Sequence, residues 1–72
     1  MDKTIFTEAH RELVRKLAKA RAAAKLNQKQ AGKKLGRSQS YISKMEAGQR
    51  RIDVIQLKEL AAIYKKKLQD FI

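Results

Sequence analysis

The most regular pattern of apolar and polar positions lies in the segment 27–48, which reads NQKQAGKKLGRSQSYISKMEAG. Ala31 and Leu35 are four residues apart, and Ile42 and Met45 are three apart, so each pair occupies one face of a helix. The other positions of the second pattern are rich in side chains that donate and accept hydrogen bonds. The segment therefore predicts two short helices, each with one narrow buried face, and leaves most of the second helix polar.

Residues that begin and end helices surround both patterns. Asn27 and Ser38 have side chains that cap free N–H groups at a helix start, and Gln30 lies where it completes a capping box with Asn27. Gly36 and Gly48 follow the two patterns, where a helix ends in a left-handed conformation that glycine adopts without steric cost. A tight helix–turn–helix unit is the expected result.

A longer amphipathic pattern precedes this unit. Thr7 caps a helix that we expect over about 8–25, whose outer face is almost wholly basic. Its apolar stripe repeats every three or four residues and consists of Ala9, Leu13, Leu17, Ala20 and Ala24. Residues 1–6 are expected to form an N-terminal arm, from which Ile5 and Phe6 pack on the body.

Another apolar pattern follows the unit. Asp53 caps a fourth helix, with Gln56 at the capping-box position. Its inward stripe comprises Val54, Leu57, Leu60, Ala61 and Tyr64. Lysines at 65–67 interrupt the pattern, and the apolar residues beyond them predict a last short helix that closes the core: Leu68, Phe71 and Ile72. The chain has no internal repeat, proline or low-complexity linker, so we expect a single unit.

Charge narrows the choice of partner. The chain carries 18 Lys and Arg against 7 Asp and Glu, which gives a net charge of +11 and an isoelectric point of about 10.4. No acidic residue occurs between Glu12 and Glu46, a stretch that holds many lysines and arginines. A polyanion is the expected partner. Two other interpretations are that the basic faces only confer solubility, or that they bind an anionic membrane, which the lack of Trp and of a wide apolar face disfavours.

The residue inventory argues against catalysis. There is no Cys, no pair of neighbouring acids with an enzyme-like spacing and no Gly-rich phosphate loop, so we expect no enzyme, cofactor or metal site. His10 is the only histidine and is expected to be solvated or at the edge of the core. No apolar run approaches the roughly 20 residues of a membrane span, and the first residues lack a signal-peptide core. We therefore expect a cytoplasmic protein.

The caps, the turn glycine, the small residue Gly32 and the polar second helix together resemble the helix-turn-helix of the phage-repressor-like (XRE, Cro/CI-type) DNA-binding proteins. The resemblance implies an all-α, five-helix, compact lambda-repressor-like domain over 7–72, with its motif at 27–48. It also implies a partly buried ion pair between Arg21 and Glu46. At the position of Gly32 the family usually has Ala, because the two motif helices cross closely there.

In the resembled family the second motif helix lies in the major groove of duplex DNA and reads bases near its N-terminal end. The matching base-contacting residues of this chain are Gln39, Ser40 and Lys44. Gln28 matches a family residue that touches the DNA backbone and braces the first reader. The expected phosphate contacts lie at the start of the first motif helix, in the two loops and along the second helix: Asn27, Gln28, Arg37, Ser38, Tyr41, Ser43, Arg50 and Arg51. Tyr41 has the alternative of packing against the core.

One small domain covers only a half-site, so the resemblance implies a homodimer on a pseudo-palindrome. Candidates for the dimer surface, each of which otherwise belongs to the intramolecular core, are Ile55, Ile63, Tyr64, Phe71 and Ile72. The leading interpretation is a sequence-specific regulator of transcription that binds double-stranded DNA, as a repressor or an activator. One alternative is a DNA-binding antitoxin or adaptor whose C-terminal apolar surface binds a partner protein. The other is a cationic helical protein that binds nucleic acid or anionic lipid by charge alone.

Overall fold

Four α-helices make up most of the described chain. The computed structural model describes residues 7–71, and it contains α1 (Glu8–Ala23), α2 (Gln28–Leu35), α3 (Gln39–Glu46) and α4 (Val54–Ile63), followed by one 3₁₀ turn (Leu68–Asp70). These residues form no strand. The all-α class is confirmed, but the expected fifth helix is wrong, because the last segment completes only a 3₁₀ turn. The expected arm with Ile5 and Phe6, and also Ile72, lie outside the described residues.

The side chains expected to begin the helices do so. Thr7, Asn27, Ser38 and Asp53 each accept a hydrogen bond from the backbone N–H three residues later. Gln30 returns a bond to the N–H of Asn27, which completes the predicted capping box. The starts of all four helices were therefore predicted correctly from local sequence.

A residue with positive φ follows each helix. Gly36 and Gly48 have φ values of +77° and +79°, as predicted, whereas Lys25 and Lys65 have values of +61° and +58°. At all four positions the next residue donates its N–H to the carbonyl five residues earlier, which closes the helix end. The helix expected to reach Lys25 therefore ends at Ala23, and α4 ends just before the lysine run.

The core forms where the inward faces of the helices meet, with α2 against α3 and α4, and α1 against α3. Its buried members are Leu17, Ala20, Ala31, Ile42, Met45, Leu57, Leu60, Ala61, Tyr64 and Phe71. Two residues of the predicted stripes are exposed: Ala9, and Val54, which is 60% exposed. Both lie in the first turn of their helices. Leu13, Ala24 and Leu35 are half-buried against the core. Val14, which the predicted stripe omitted, is buried instead.

Candidate nucleic-acid interface

Helix α3 packs into the core through two apolar side chains, and most of its other residues are polar. Ile42 and Met45 are fully buried. Ser38 caps the helix by accepting a hydrogen bond from the Tyr41 N–H at 3.2 Å. Because both apolar residues lie on one narrow stripe, the polar residues on the opposite side of the helix are left to face solvent or a ligand, whereas Tyr41 and Glu46 are partly buried at its edges.

The three expected base-contacting residues lie on that remaining surface. Gln39, Ser40 and Lys44 are all exposed, as is Ser43. Within residues 7–71 none of these four side chains takes part in a hydrogen bond or ion pair. Their polar atoms are thus available to a ligand, and their contact with DNA stays a prediction.

The turn that leads into α3 passes directly over Gly32. A Cβ atom placed on Gly32 would lie 2.8 Å from the carbonyl oxygen of Ser38 and 3.0 Å from that of Arg37. These distances are too short for a side-chain carbon, so a larger residue would push the start of α3 away from α2. The need for a small residue predicted here comes from the backbone of the turn.

Arg21 and Glu46 form the ion pair that the resemblance implies, and they connect α1 with the C-terminal end of α3. Nε of Arg21 donates to Oε2 of Glu46 at 2.7 Å, and Nη2 donates to Oε1 at 3.1 Å. Nη1 of Arg21 also donates to the carbonyl of Leu26 at 2.8 Å. The two side chains are only 19% and 8% exposed. The hydrogen bond to Glu46 raises the pKa of Arg21, and it outweighs the opposing effect of burial.

Gln28 belongs to the same cluster. Its Nε2 donates to Oε1 of Glu46 at 3.1 Å. Gln28 was expected to brace Gln39, but its described hydrogen bond is to Glu46, because the start of α2 lies against the end of α3. Asn27 is exposed, and both its side-chain oxygen and its backbone N–H are used in the capping box.

Tyr41 lies at the centre of a second cluster, which connects α3 with α4. Its hydroxyl donates to Oε1 of Gln56 in the first turn of α4. The guanidinium carbons of Arg37 and Arg50 lie over its ring, 5.3 and 4.4 Å from the centroid. The expected capping-box role of Gln56 is therefore wrong, since its amide oxygen binds Tyr41 and Asp53 caps α4 without it.

The two loops beside α3 carry most of the other expected phosphate contacts. Arg37 and Ser38 in the first loop are exposed, and so are Arg50 and Arg51 in the second. Among residues 7–71, no carboxylate lies within ion-pair distance of Arg37 or Arg50. Arg37 and Arg50 thus bring positive charge without a described carboxylate partner to the first turn of α3, where Tyr41 lies. The meeting of these two arginines on Tyr41 was not predicted from the sequence, whose only signal for it is the four-residue spacing between Arg37 and Tyr41.

The expected dimer surface is only partly available. Tyr64 and Phe71 are 2% and 5% exposed, so including them was wrong: they belong to the core. Ile63 is half-buried against the core, whereas Ile55 is 68% exposed. The exposed apolar surface of the described chain therefore lies at the start of α4.

Other features do not suggest a different kind of site. No group of three or more His, Cys, Asp or Glu side chains could share a metal ion within residues 7–71. His10 is half-buried, in agreement with a position at the edge of the core. An open cleft of about 380 Å³ lies between α1 and the C-terminal turn, with Lys16, Lys19 and Phe71 among its lining residues, and it contains none of the expected DNA contacts. None of the described helices has the length and apolar character that crossing a membrane requires.

Comparison with known proteins gives an independent result. A family model described as helix-turn-helix matches residues 17–71, which include all of α2, α3 and α4. No curated protein and no solved structure matches the chain. Since the family match covers most of the sequence and the motif is built as described above, the chain belongs to the XRE/Cro-CI-type helix-turn-helix family of DNA-binding regulators.

Proposed function

We propose that this protein is a sequence-specific regulator of transcription that places α3 in the major groove of double-stranded DNA. The observation that carries the proposal is the division of α3 into a fully buried stripe, Ile42 and Met45, and an exposed polar surface. The side chains of that surface make no hydrogen bond or ion pair within residues 7–71: Gln39, Ser40, Ser43 and Lys44. An α-helix fits the major groove, and residues near its N-terminal end reach the base edges. Gln39 and Ser40 are the first two residues of α3, and Lys44 lies about one turn later.

The side chains suit direct readout. Gln39 pairs with adenine through its amide, Lys44 donates to guanine, and Ser40 bonds to either kind of base, with each good contact contributing about 1 to 3 kcal/mol of discrimination. At the start of α2, the backbone N–H groups that the capping box does not use, those of Gln28 and Lys29, and the helix dipole favour a phosphate. Arg51 and the other cations of the loops are proposed to contact DNA phosphates, which are the same in every sequence. The affinity for duplex DNA is therefore expected to fall steeply as the salt concentration rises.

The proposed functional form is a homodimer on a pseudo-palindromic site. The described domain contains a single helix, α3, with the surface proposed to enter the major groove, whereas equivalent groove positions lie roughly 34 Å apart. One domain therefore reaches one half-site. The exposed apolar pair at the start of α4, Val54 and Ile55, is the proposed contact between the two copies.

The same apolar pair favours one alternative, in which the protein is a DNA-binding antitoxin or adaptor. In that case a partner protein, rather than a second copy, covers Val54 and Ile55. Sedimentation of the purified chain separates the two: a dimer supports self-association, whereas a monomer that pairs only with a co-expressed protein supports the alternative.

Selection of bound duplexes from a random pool, at about 0.15 M salt where weak long-range charge interactions are screened, tests the main proposal. A recovered palindrome is the expected result. Gln39→Ala should relax preference at one base pair of each half-site, and the matched loop variant Arg51→Ala should weaken binding to all sequences alike. A pool that stays random after selection would leave only binding by charge.

A further inference from the structure

We propose that Tyr41 is a positioning residue that assembles Arg37 and Arg50 into a single clamp for the phosphates of DNA. The inference rests on the proposed function, because it assigns roles within the same interface. It differs from the sequence expectation, in which the three residues touch the DNA backbone separately. Here the arginines bind the phosphates, and Tyr41 acts through them.

The two arginines come from different loops. Arg37 precedes α3, and Arg50 follows it, so the whole helix separates them along the chain. Both guanidinium carbons nevertheless lie over the same ring, at 5.3 and 4.4 Å from its centroid. The cations at the two ends of the recognition helix are thereby brought to one place.

The ring that holds them is itself fixed. Tyr41 lies in the first turn of α3, and its hydroxyl donates to the amide oxygen of Gln56 in the first turn of α4. Gln56 is in turn held by its backbone N–H, which donates to Oδ1 of Asp53 at 2.7 Å. The ring thus has one attachment on each of two helices, which reduces the conformational freedom that the clamp would lose on binding.

The electrostatics point to an anion as the missing component. Two guanidinium groups that share one ring repel each other, and no described carboxylate offsets that repulsion at either of them. Cation–π attraction holds them in place but does not neutralise them. The contacts with the ring also consume none of the five N–H donors that each guanidinium offers. Phosphate oxygens of the DNA backbone that bind these guanidinium groups would relieve the repulsion and accept those hydrogen bonds.

The decisive measurement is the salt dependence of duplex binding by Tyr41→Leu, which removes the ring but no charge. We expect affinity to fall about threefold to tenfold, by the same factor for a selected and a random duplex. We also expect the slope of log affinity against log salt to become shallower by roughly one, the equivalent of one lost phosphate contact. Tyr41→Phe keeps the ring and should retain most of the slope. A structural defect common to both variants would change the salt slope of Tyr41→Phe as much as that of Tyr41→Leu.

The arginine variants give the second measurement. In the parent protein, the double change Arg37→Ala with Arg50→Ala should lower the affinity for a duplex by a factor clearly smaller than the product of the two single fold-changes, because either change alone disables the clamp. In the Tyr41→Leu background the two should act independently. Lys44→Ala is the matched control, because Lys44 is an exposed cation of α3 that makes no contact with the ring within residues 7–71. Its effect should multiply with that of Arg37→Ala in both backgrounds.

NMR of the free parent protein needs no variant and therefore remains informative if Tyr41→Leu fails to fold. The side-chain protons of Arg37 and Arg50 should be shifted by the ring current, and those of Arg15, which pairs with Glu12 on α1, should not. An unshifted pair of arginines would overturn the proposal, as would an unchanged salt slope in folded Tyr41→Leu. A changed order of preferred sites would also overturn it, since Tyr41 would then read bases. If the parent prefers no sequence, the proposed function fails, and the clamp is judged on the random duplex alone.

Discussion

Removal of Arg21 should destabilise the fold far more than the loss of an ordinary surface charge. Arg21→Ala would leave Glu46, whose side chain is 8% exposed, with the amide of Gln28 as its one remaining partner within residues 7–71. It would also remove the donor that bonds to the Leu26 carbonyl. Breaking a buried pair in this way costs about 3 to 5 kcal/mol, and the 19% exposure of Arg21 favours the lower end. A chain of this length has only about 4 to 11 kcal/mol in total.

Urea unfolding measures the effect directly. With a slope of about 1 kcal/mol per molar urea for so small a domain, the midpoint should fall by about 3 M. The matched control is Arg15→Ala on the same helix, which breaks a 2.9 Å pair with Glu12 whose side chains are 62% and 50% exposed. That change should cost less than about 0.5 kcal/mol.

A double variant separates a buried pair from two unrelated residues. Arg21→Met with Glu46→Leu should cost much less than the sum of the single changes, because no unpaired charge is left buried. The ion pair does not hold α1 to α3 if Arg21→Ala unfolds at the same urea concentration as Arg15→Ala. The same conclusion follows if the free-energy costs of Arg21→Met and Glu46→Leu simply add in the double variant.

Three further changes test the backbone and the core. Lys65→Gly should raise the free energy of unfolding by about 0.5 to 1 kcal/mol in a urea titration, because φ is +58° at this position. Lys66→Gly removes the same charge and should not raise it. Equal effects of the two changes would contradict the role of φ. Burial raises the pKa of Tyr64 to about 12, so stability should be complete below pH 10 and lost as the pH rises from about 10 to 12, by at most about 2 to 3 kcal/mol. Tyr64→Phe should not lose stability over this pH range. At pH 7 its free energy of unfolding should equal or exceed that of the parent protein, because the Tyr64 hydroxyl is buried without a hydrogen-bond partner within residues 7–71. A variant with the same pH profile as the parent would refute this. Gly32→Ala should lower the melting temperature, because the new Cβ would clash with the Ser38 carbonyl oxygen at 2.8 Å, and this cost outweighs the roughly 1 kcal/mol of helix propensity that Ala gains. A higher melting temperature would show that the turn can shift.

Helix starts and two helix ends were predictable because their signals are local. A cap such as Ser38 needs only an N–H three residues away, and Gly36 needs only a turn that glycine makes easily. Lys25 and Lys65 carry no such signal, because a left-handed lysine is unfavourable by itself. They adopt it where the chain must turn to place Leu26 and Phe71 against the core, and the burial of those side chains offsets the local cost.

Burial was predictable in the middle of the helices and not at their first turns. The three-and-four spacing found Leu17, Leu57 and Leu60 because residues there are surrounded on the inward side by other helices. Val54 has the correct spacing but is the first residue of α4, and no neighbouring element covers it. A stripe of apolar residues therefore defines which side of a helix faces inward, while the packing of the other helices decides how far along it burial extends.

The orientation of α3 depends on contacts that no periodic pattern contains. At its C-terminal end Glu46 is held by Arg21 and Gln28, and in its first turn Tyr41 is held by Gln56. Each contact joins residues far apart in the chain, so the ion pair was foreseen only through the family resemblance, and the tyrosine contact was not foreseen. Because two separate attachments hold the helix, changing either one should alter how its polar surface is presented while leaving the exposed side chains themselves intact. The residues that read a binding site and the residues that aim them are thus different sets, and only the first can be proposed from the sequence of α3 alone.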